Sequence, residues 1–166
     1  MPQPEQSRPK PARTPNLVLG LGNILLRDEG VGVRVVQAMQ GMDLPADVEV
    51  FDGATAGLDL LDVLADRRKV VVIDALAGET QPGTILRLEA QDLAPREAGD
   101  VSLHEIGLLE TLAAARLLGS APQELVVIGV APHSIDWGLH LTPEIARLVP
   151  RIIELALAEF ASSAAR

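Results

Sequence analysis

The chain has 166 residues, of which 48% are apolar and 22% charged: enough for one domain with its own core, and too apolar for native disorder. Its net charge of −9 repels phosphate backbones, which argues against general nucleic-acid binding. The absence of cysteine excludes a disulfide scaffold, a cysteine–zinc site, an iron–sulfur cluster and a cysteine nucleophile.

Residues 1–15 (MPQPEQSRPKPARTP) hold five of the twelve prolines and read as a flexible tail ahead of a domain spanning 16–166. They lack the apolar run of a signal peptide, and no stretch approaches the roughly 20 apolar residues that span a bilayer. A soluble cytoplasmic protein with no membrane partner is the expectation.

Asn16–Gly20 is a short apolar run closed by glycine and predicts a buried strand. Val31–Met42 predicts an amphipathic helix, with Val31, Val35, Ala38, Met39 and Met42 inward. Val48–Phe51 predicts a second strand ending at Asp52. Gly57–Ala65 predicts a helix with Leu58, Leu61 and Leu64 inward. Lys69–Ala75 contains four consecutive β-branched residues, the pattern of a strand covered on both faces. Thr84–Leu88 alternates after Pro82-Gly83 and suits an edge strand, whereas 89–101 is charged and irregular. Leu103–Leu118 is a helix stopped by Gly119, Glu124–Val130 is a buried strand, and 131–141 is a loop. A last helix runs from Pro143 to about Phe160, with Thr142 as its cap. Strands alternating with helices predict an α/β fold: one three-layer domain, with a mainly parallel twisted sheet of about five strands and helices on both faces.

In such a sheet the ligand site lies beyond the carboxyl ends of the strands. The first strand empties into Gly20-Leu21-Gly22-Asn23 and then a segment carrying Asp28-Glu29-Gly30; the second ends at Asp52 and the third at Asp74. One aspartate there is commonly a turn residue, but several acids at neighbouring strand ends repel one another and favour a bound cation. A dinucleotide motif is set aside, because Leu25 stands where a third glycine is needed and the helix starts too late. Of the histidines His104, His133 and His140, the first opens a helix in Ser102-Leu103-His104-Glu105, where the helix end keeps imidazole neutral and able to ligate. Alone it reads as a surface histidine. With Glu29 and Asp74 it completes a donor set of two carboxylates and one imidazole that suits zinc, nickel, manganese or iron. No G-x-S-x-G elbow is present, so metal chemistry outweighs serine chemistry.

Five blocks then stand in order: Gly20–Arg34 (GLGNILLRDEGVGVR), Asp52–Gly57 (DGATAG), Val71–Ala75 (VVIDA), Ser102–Leu108 (SLHEIGL) and Ile128–Pro132 (IGVAP). Together they resemble the blocks of the nickel–iron hydrogenase maturation proteases, over about residues 17–155. The resemblance implies an endopeptidase that removes the C-terminal extension of a hydrogenase large-subunit precursor after nickel insertion. It places the family's metal-site residues on Glu29, Asp74 and His104, and the aspartate of its D-G-G/A-T-x-G block on Asp52, as general base or loop-orienting residue. The implied metal is nickel delivered by the substrate, although another divalent ion suits the same donors. The protease is expected to act as a monomer. Ala54 stands where a second glycine is common, which is tolerable if that backbone is not left-handed. The loop Pro132–Gly138 departs from the family pattern. A metal-binding chaperone or sensor, a nucleotide-dependent oxidoreductase and a different small metallopeptidase are the rival readings.

Overall fold

The computed structural model describes residues 13–54, 60–76, 78, 80–93 and 103–161, with side chains in the third long helix described from Gly107 onward. Strands β1 (Asn16–Leu21), β2 (Val48–Ala54), β3 (Lys69–Ala75), β4 (Ile85–Glu89) and β5 (Glu124–Val130) form one sheet in the order β2-β1-β3-β5-β4. All pairings are parallel except β4 with β5. The helices are α1 (Val31–Met39), α2 (Leu60–Leu64), α3 (Leu103–Leu117), α4 (Pro143–Ala146) and α5 (Val149–Ala161). The expected α/β architecture of about five strands is therefore the observed one.

The central strands β1, β3 and β5 are buried on both faces, and their alternation divides the core. Val18, Val71, Ile73, Ile128 and Val130 pack against α1 and α5 through Val35, Val36, Met39, Ile152, Ala156 and Phe160. Leu17, Leu19, Leu21, Val70, Val72 and Val127 pack against α2 and α3 through Leu60, Leu64, Leu108 and Leu112. Each fully buried aliphatic side chain contributes about 1.5–3 kcal/mol, so these two clusters, not helix propensity, hold the layers. Glycine sets the closeness of α1: a β-carbon on Gly32 would lie 2.0 Å from the Ile73 carbonyl oxygen and one on Gly20 2.2 Å from the Gly32 carbonyl oxygen. Backbone thus rests on backbone at the junction of β1, β3 and α1.

Several elements differ from the sequence expectation, each for a local reason. α1 stops at Met39, leaving Ala38 and Met42 exposed, while Val33 and Val36 take the inward places because the glycine contact turns the helix. In α2, Leu60 and Leu64 face the core and Leu61 lies at its border; Leu58 lies outside the described residues. The last helix is two: α4 ends before Arg147-Leu148 and α5 restarts at Val149-Pro150, since Pro150 has no N–H to donate one turn back to the Ala146 carbonyl. β4 is the expected edge strand, with exposed Arg87 and Glu89 discouraging further pairing.

The described part of the amino-terminal segment is tied to the domain. Arg13 pairs with Asp62 at 2.6 Å, and the buried Arg67 donates to the Thr14 carbonyl (2.5 Å) and to Glu49 (2.7 Å). The Pro15 carbonyl accepts from the Arg68 and Lys69 amides. Deleting residues 1–12 is expected to leave the melting temperature unchanged. Deleting 1–15 removes two carbonyls that accept three hydrogen bonds and is expected to cost about 1–3 kcal/mol in thermal unfolding.

Candidate functional site

β1 leads through α1 to β2 on one side, and β3 leads to β5 on the other, so the carboxyl ends of β1 and β3 form a topological switch point. The loops there are tightly built. Gly22 has φ 136° and its amide donates to the Ala54 carbonyl at 2.9 Å; a β-carbon at Gly22 would lie 2.0 Å from the Glu29 carbonyl oxygen. Arg27 and Ala54 hold left-handed backbones at φ 46° and 42°. For alanine that conformation costs about 1 kcal/mol, so the tolerance expected at Ala54 does not hold and the block carries strain there. Backbone strain concentrated at a loop cluster marks a place where geometry is held for use.

Glu29 lies in the 3-10 turn Arg27–Gly30, above the end of β1 and packed near β3. It is half-buried, and among the described residues its carboxylate makes no hydrogen bond or ion pair. Asp74 is the next-to-last residue of β3 and 2% exposed; its Oδ1 accepts the Ala75 amide at 2.8 Å. By strand alternation it belongs to the face of Val70 and Val72, the face covered by α3. α3 ends near Ser120, whose carbonyl bonds the Asp66 amide at the amino edge of the sheet. Fifteen residues of helix, about 22 Å, therefore carry its first turn back to the carboxyl edge. His104 is the second residue of that helix; its side chain lies outside the described residues. The fold thus brings Glu29, Asp74 and the start of α3 to one edge. Among the described residues no three His, Cys, Asp or Glu side chains form a metal-binding group.

Asp52 is placed differently. β2 runs on to Ala54, so Asp52 lies within the strand, opposite Gly20, with a register shift just after it. Alternation puts it with Val48 and Val50 on the α1 face, not on the face of Asp74, and two strand spacings, about 10 Å, separate the two strands. Its Oδ1 accepts the Ala54 amide at 3.0 Å, tying down the strained residue.

The residue that the sequence reading passed over is Asp28. It is completely buried, yet its carboxylate accepts from four donor groups: the His133 and Ser134 amides (both 3.0 Å), and the Thr142 amide (2.7 Å) and hydroxyl (2.9 Å). Thr142 does occupy the cap position of α4, but its hydroxyl serves Asp28 and caps nothing. Asp28 so fastens the Pro132–Thr142 loop to the turn that presents Glu29. Two adjacent acids divide the work, Asp28 holding backbone and Glu29 remaining available.

A polar groove of about 740 Å³ opens at the opposite, amino edge, lined by Arg68, Lys69, Arg87, Glu124 and Glu159 among others. Its cations are already paired, Lys69 with Glu124 and Glu159 at 3.0 Å each and Arg68 with Asp47 at 3.6 Å. Hydrogen bonds from Arg87 hold the Glu159 carboxyl below its usual range against the desolvation of burial, with Lys69 adding to the effect. This groove is cross-linked structure and lacks the open donors of the carboxyl edge.

A family model described as hydrogenase maturation protease matches residues 33–159. The hydrogenase 2 maturation protease of Escherichia coli strain K12 is 38% identical over 149 residues, covering 89% of this chain and 91% of that protein. The hydrogenase expression/formation protein HupD of Bradyrhizobium diazoefficiens is 41% identical over 157 residues, 90% of this chain and 81% of that one. Among solved structures, the hydrogenase maturating endopeptidase HybD from E. coli superposes with a TM-score of 0.81 at 35% identity, covering 92% of this chain and 94% of its own.

Proposed function

The chain belongs to the hydrogenase maturation protease family, and on that premise we propose that this endopeptidase removes the C-terminal extension of a nickel–iron hydrogenase large-subunit precursor after nickel has been inserted. The observation that carries this reading is the arrangement at the switch point. An available carboxylate on Glu29, a buried carboxylate on Asp74 and the first turn of α3 with His104 meet at one edge of the sheet.

Nickel enters as part of the substrate, held by the precursor's own thiolates. Glu29, Asp74 and His104 offer it a partial set of hard and borderline donors, and the ion draws the scissile region to the cleft. When bound, the ion supplies Lewis acidity to the carbonyl or to an attacking water. The chain's own residues position the bond. Gly22 lets the Glu29 turn descend onto the strand end, and Asp74 is fixed by its bond to the Ala75 amide. Asp52 is read as a loop-orienting residue instead of a general base, because it bonds the Ala54 amide and sits on the other face from Asp74. The reading places the reaction in the cytoplasm with a single copy of the chain acting, and no helix among the described residues is long and apolar enough to cross a membrane.

The test compares nickel-loaded and nickel-free precursor by gel analysis. Wild-type protein is expected to shorten the first and leave the second whole. Equal cleavage of both overturns recognition through the metal. Binding of nickel with no cleavage of either would favour the chaperone or sensor reading.

A further inference from the structure

Beside the candidate site lies a surface that the chemistry of cleavage does not use. Leu25, Ile135, Trp137 and Leu139 are 45%, 56%, 79% and 57% exposed. They stand on two segments joined by a parallel bridge between Leu26 and Gly138, in which the Gly138 amide donates to the Leu25 carbonyl (2.9 Å) and the Arg27 amide to the Gly138 carbonyl (3.0 Å). That pairing sets Leu25 alongside Trp137. The bridge also leads directly into the Arg27–Gly30 turn, so the apolar patch is continuous with the turn that bears Glu29.

The patch is held rigidly from behind. Asp28 bonds the His133, Ser134 and Thr142 amides, its own amide donates to the Ser134 carbonyl (3.1 Å), and Arg34 donates to the Leu139 carbonyl (2.6 Å). A loop that merely joined β5 to α4 would need neither three exposed apolar side chains nor this many anchors. An ordered aromatic at the centre of an apolar patch is the composition of a binding hot spot, and prior ordering lowers the entropy lost on association. Water-exposed clusters of this kind mark interaction sites more often than accidents of composition.

We infer that Leu25, Ile135, Trp137 and Leu139 form the docking surface for an apolar segment of the large-subunit precursor next to its scissile region. The inference rests on the proposed reaction and adds the surface by which the protein part of the substrate, as distinct from its nickel, is recognised. Position identifies the occupant: any polypeptide that reaches Glu29 from this side passes over the bridge. A second copy of the chain is disfavoured, since it would cover the approach to Glu29 and bring together two bodies each of net charge −9.

Trp137 is the only tryptophan, so full-length protein labelled with 5-fluorotryptophan gives one fluorine resonance that reports this surface. Adding unlabelled nickel-loaded precursor is expected to shift or broaden it. In cleavage assays Trp137→Ala and Leu139→Ser are expected to raise KM by at least about tenfold each, the loss of kcat/KM residing in KM. If wild type cuts the precursor while the resonance stays in place and both variants keep the wild-type KM, docking at this surface is overturned and the reaction stands. If wild type cuts nothing, the reaction fails while the resonance still decides docking. A resonance that moves with the concentration of the protease alone, with dimer in sedimentation, assigns the patch to a second copy and overturns the inference.

Discussion

Replacing Glu29, Asp74 or His104 by alanine is expected to slow processing of nickel-loaded precursor by at least about 100-fold, because on the proposed reading each substitution removes one donor from a set of three. The fold is expected to survive. Glu29 is half-buried without a partner among the described residues, so its loss changes stability by about 1 kcal/mol or less. Asp74 is buried at the end of β3, and alanine there forfeits the bond to the Ala75 amide, a cost of about 1–3 kcal/mol. Glu29→Gln preserves shape and loses charge, and is expected to impair cleavage nearly as much as Glu29→Ala. Gel assays paired with melting curves check both halves. Wild-type rates in a folded Glu29→Ala protein would remove Glu29 from the site, and an unfolded one would reassign it to structure.

Asp28→Ala is expected to destabilise the chain more than alanine at either Glu29 or Asp74. It strands three backbone amides and a hydroxyl that now converge on one fully buried carboxylate. Removing the acceptor from such a buried network costs about 3–5 kcal/mol, which lowers the melting temperature of a chain this size by roughly 6–20 °C. Asp28→Asn is expected to fall between the two. An amide keeps one acceptor oxygen but turns an N–H toward groups that are all donors apart from the rotatable Thr142 hydroxyl. Because the same carboxylate fixes the loop bearing Trp137 and the turn bearing Glu29, processing is expected to fall with stability. Calorimetry of both variants checks the order.

The layers were legible because each strand announces itself. Lys69–Ala75 and Glu124–Val130 are apolar on both faces, which only a covered parallel strand requires, and both stand where expected. The acids of the carboxyl edge were legible as a group, since strand ends point to one side of any parallel sheet. Their division of labour was not. Asp28 and Glu29 are neighbours of the same charge, and only the folded position of His133, Ser134 and Thr142, more than a hundred residues away in the chain, shows which one is spent. Asp-Gly resembles a stop and makes Asp52 look like a strand end; the strand runs on through the register shift at Gly20 and Leu21, which no local pattern announces. Thr142 carries the right side chain in the right place for a cap, and a stronger acceptor claims it. At Asp28 and Thr142 a long-range partner outcompetes the local one.

The contact of Gly32 with the Ile73 and Leu21 carbonyls, at distances that leave no room for a methyl group, also governs motion. Side chains can slide and change rotamer, whereas two backbones in contact have no compliant layer between them. α1 therefore cannot roll or shift along the sheet, and the turn that carries Glu29 is a fixed wall of the cleft. On the opposite wall α3 rests on the sheet through the side chains of Leu108 and Leu112, a contact that can repack. The compliant layer beside the cleft is therefore on the α3 side of the sheet, where side chains and not backbone separate helix from strands.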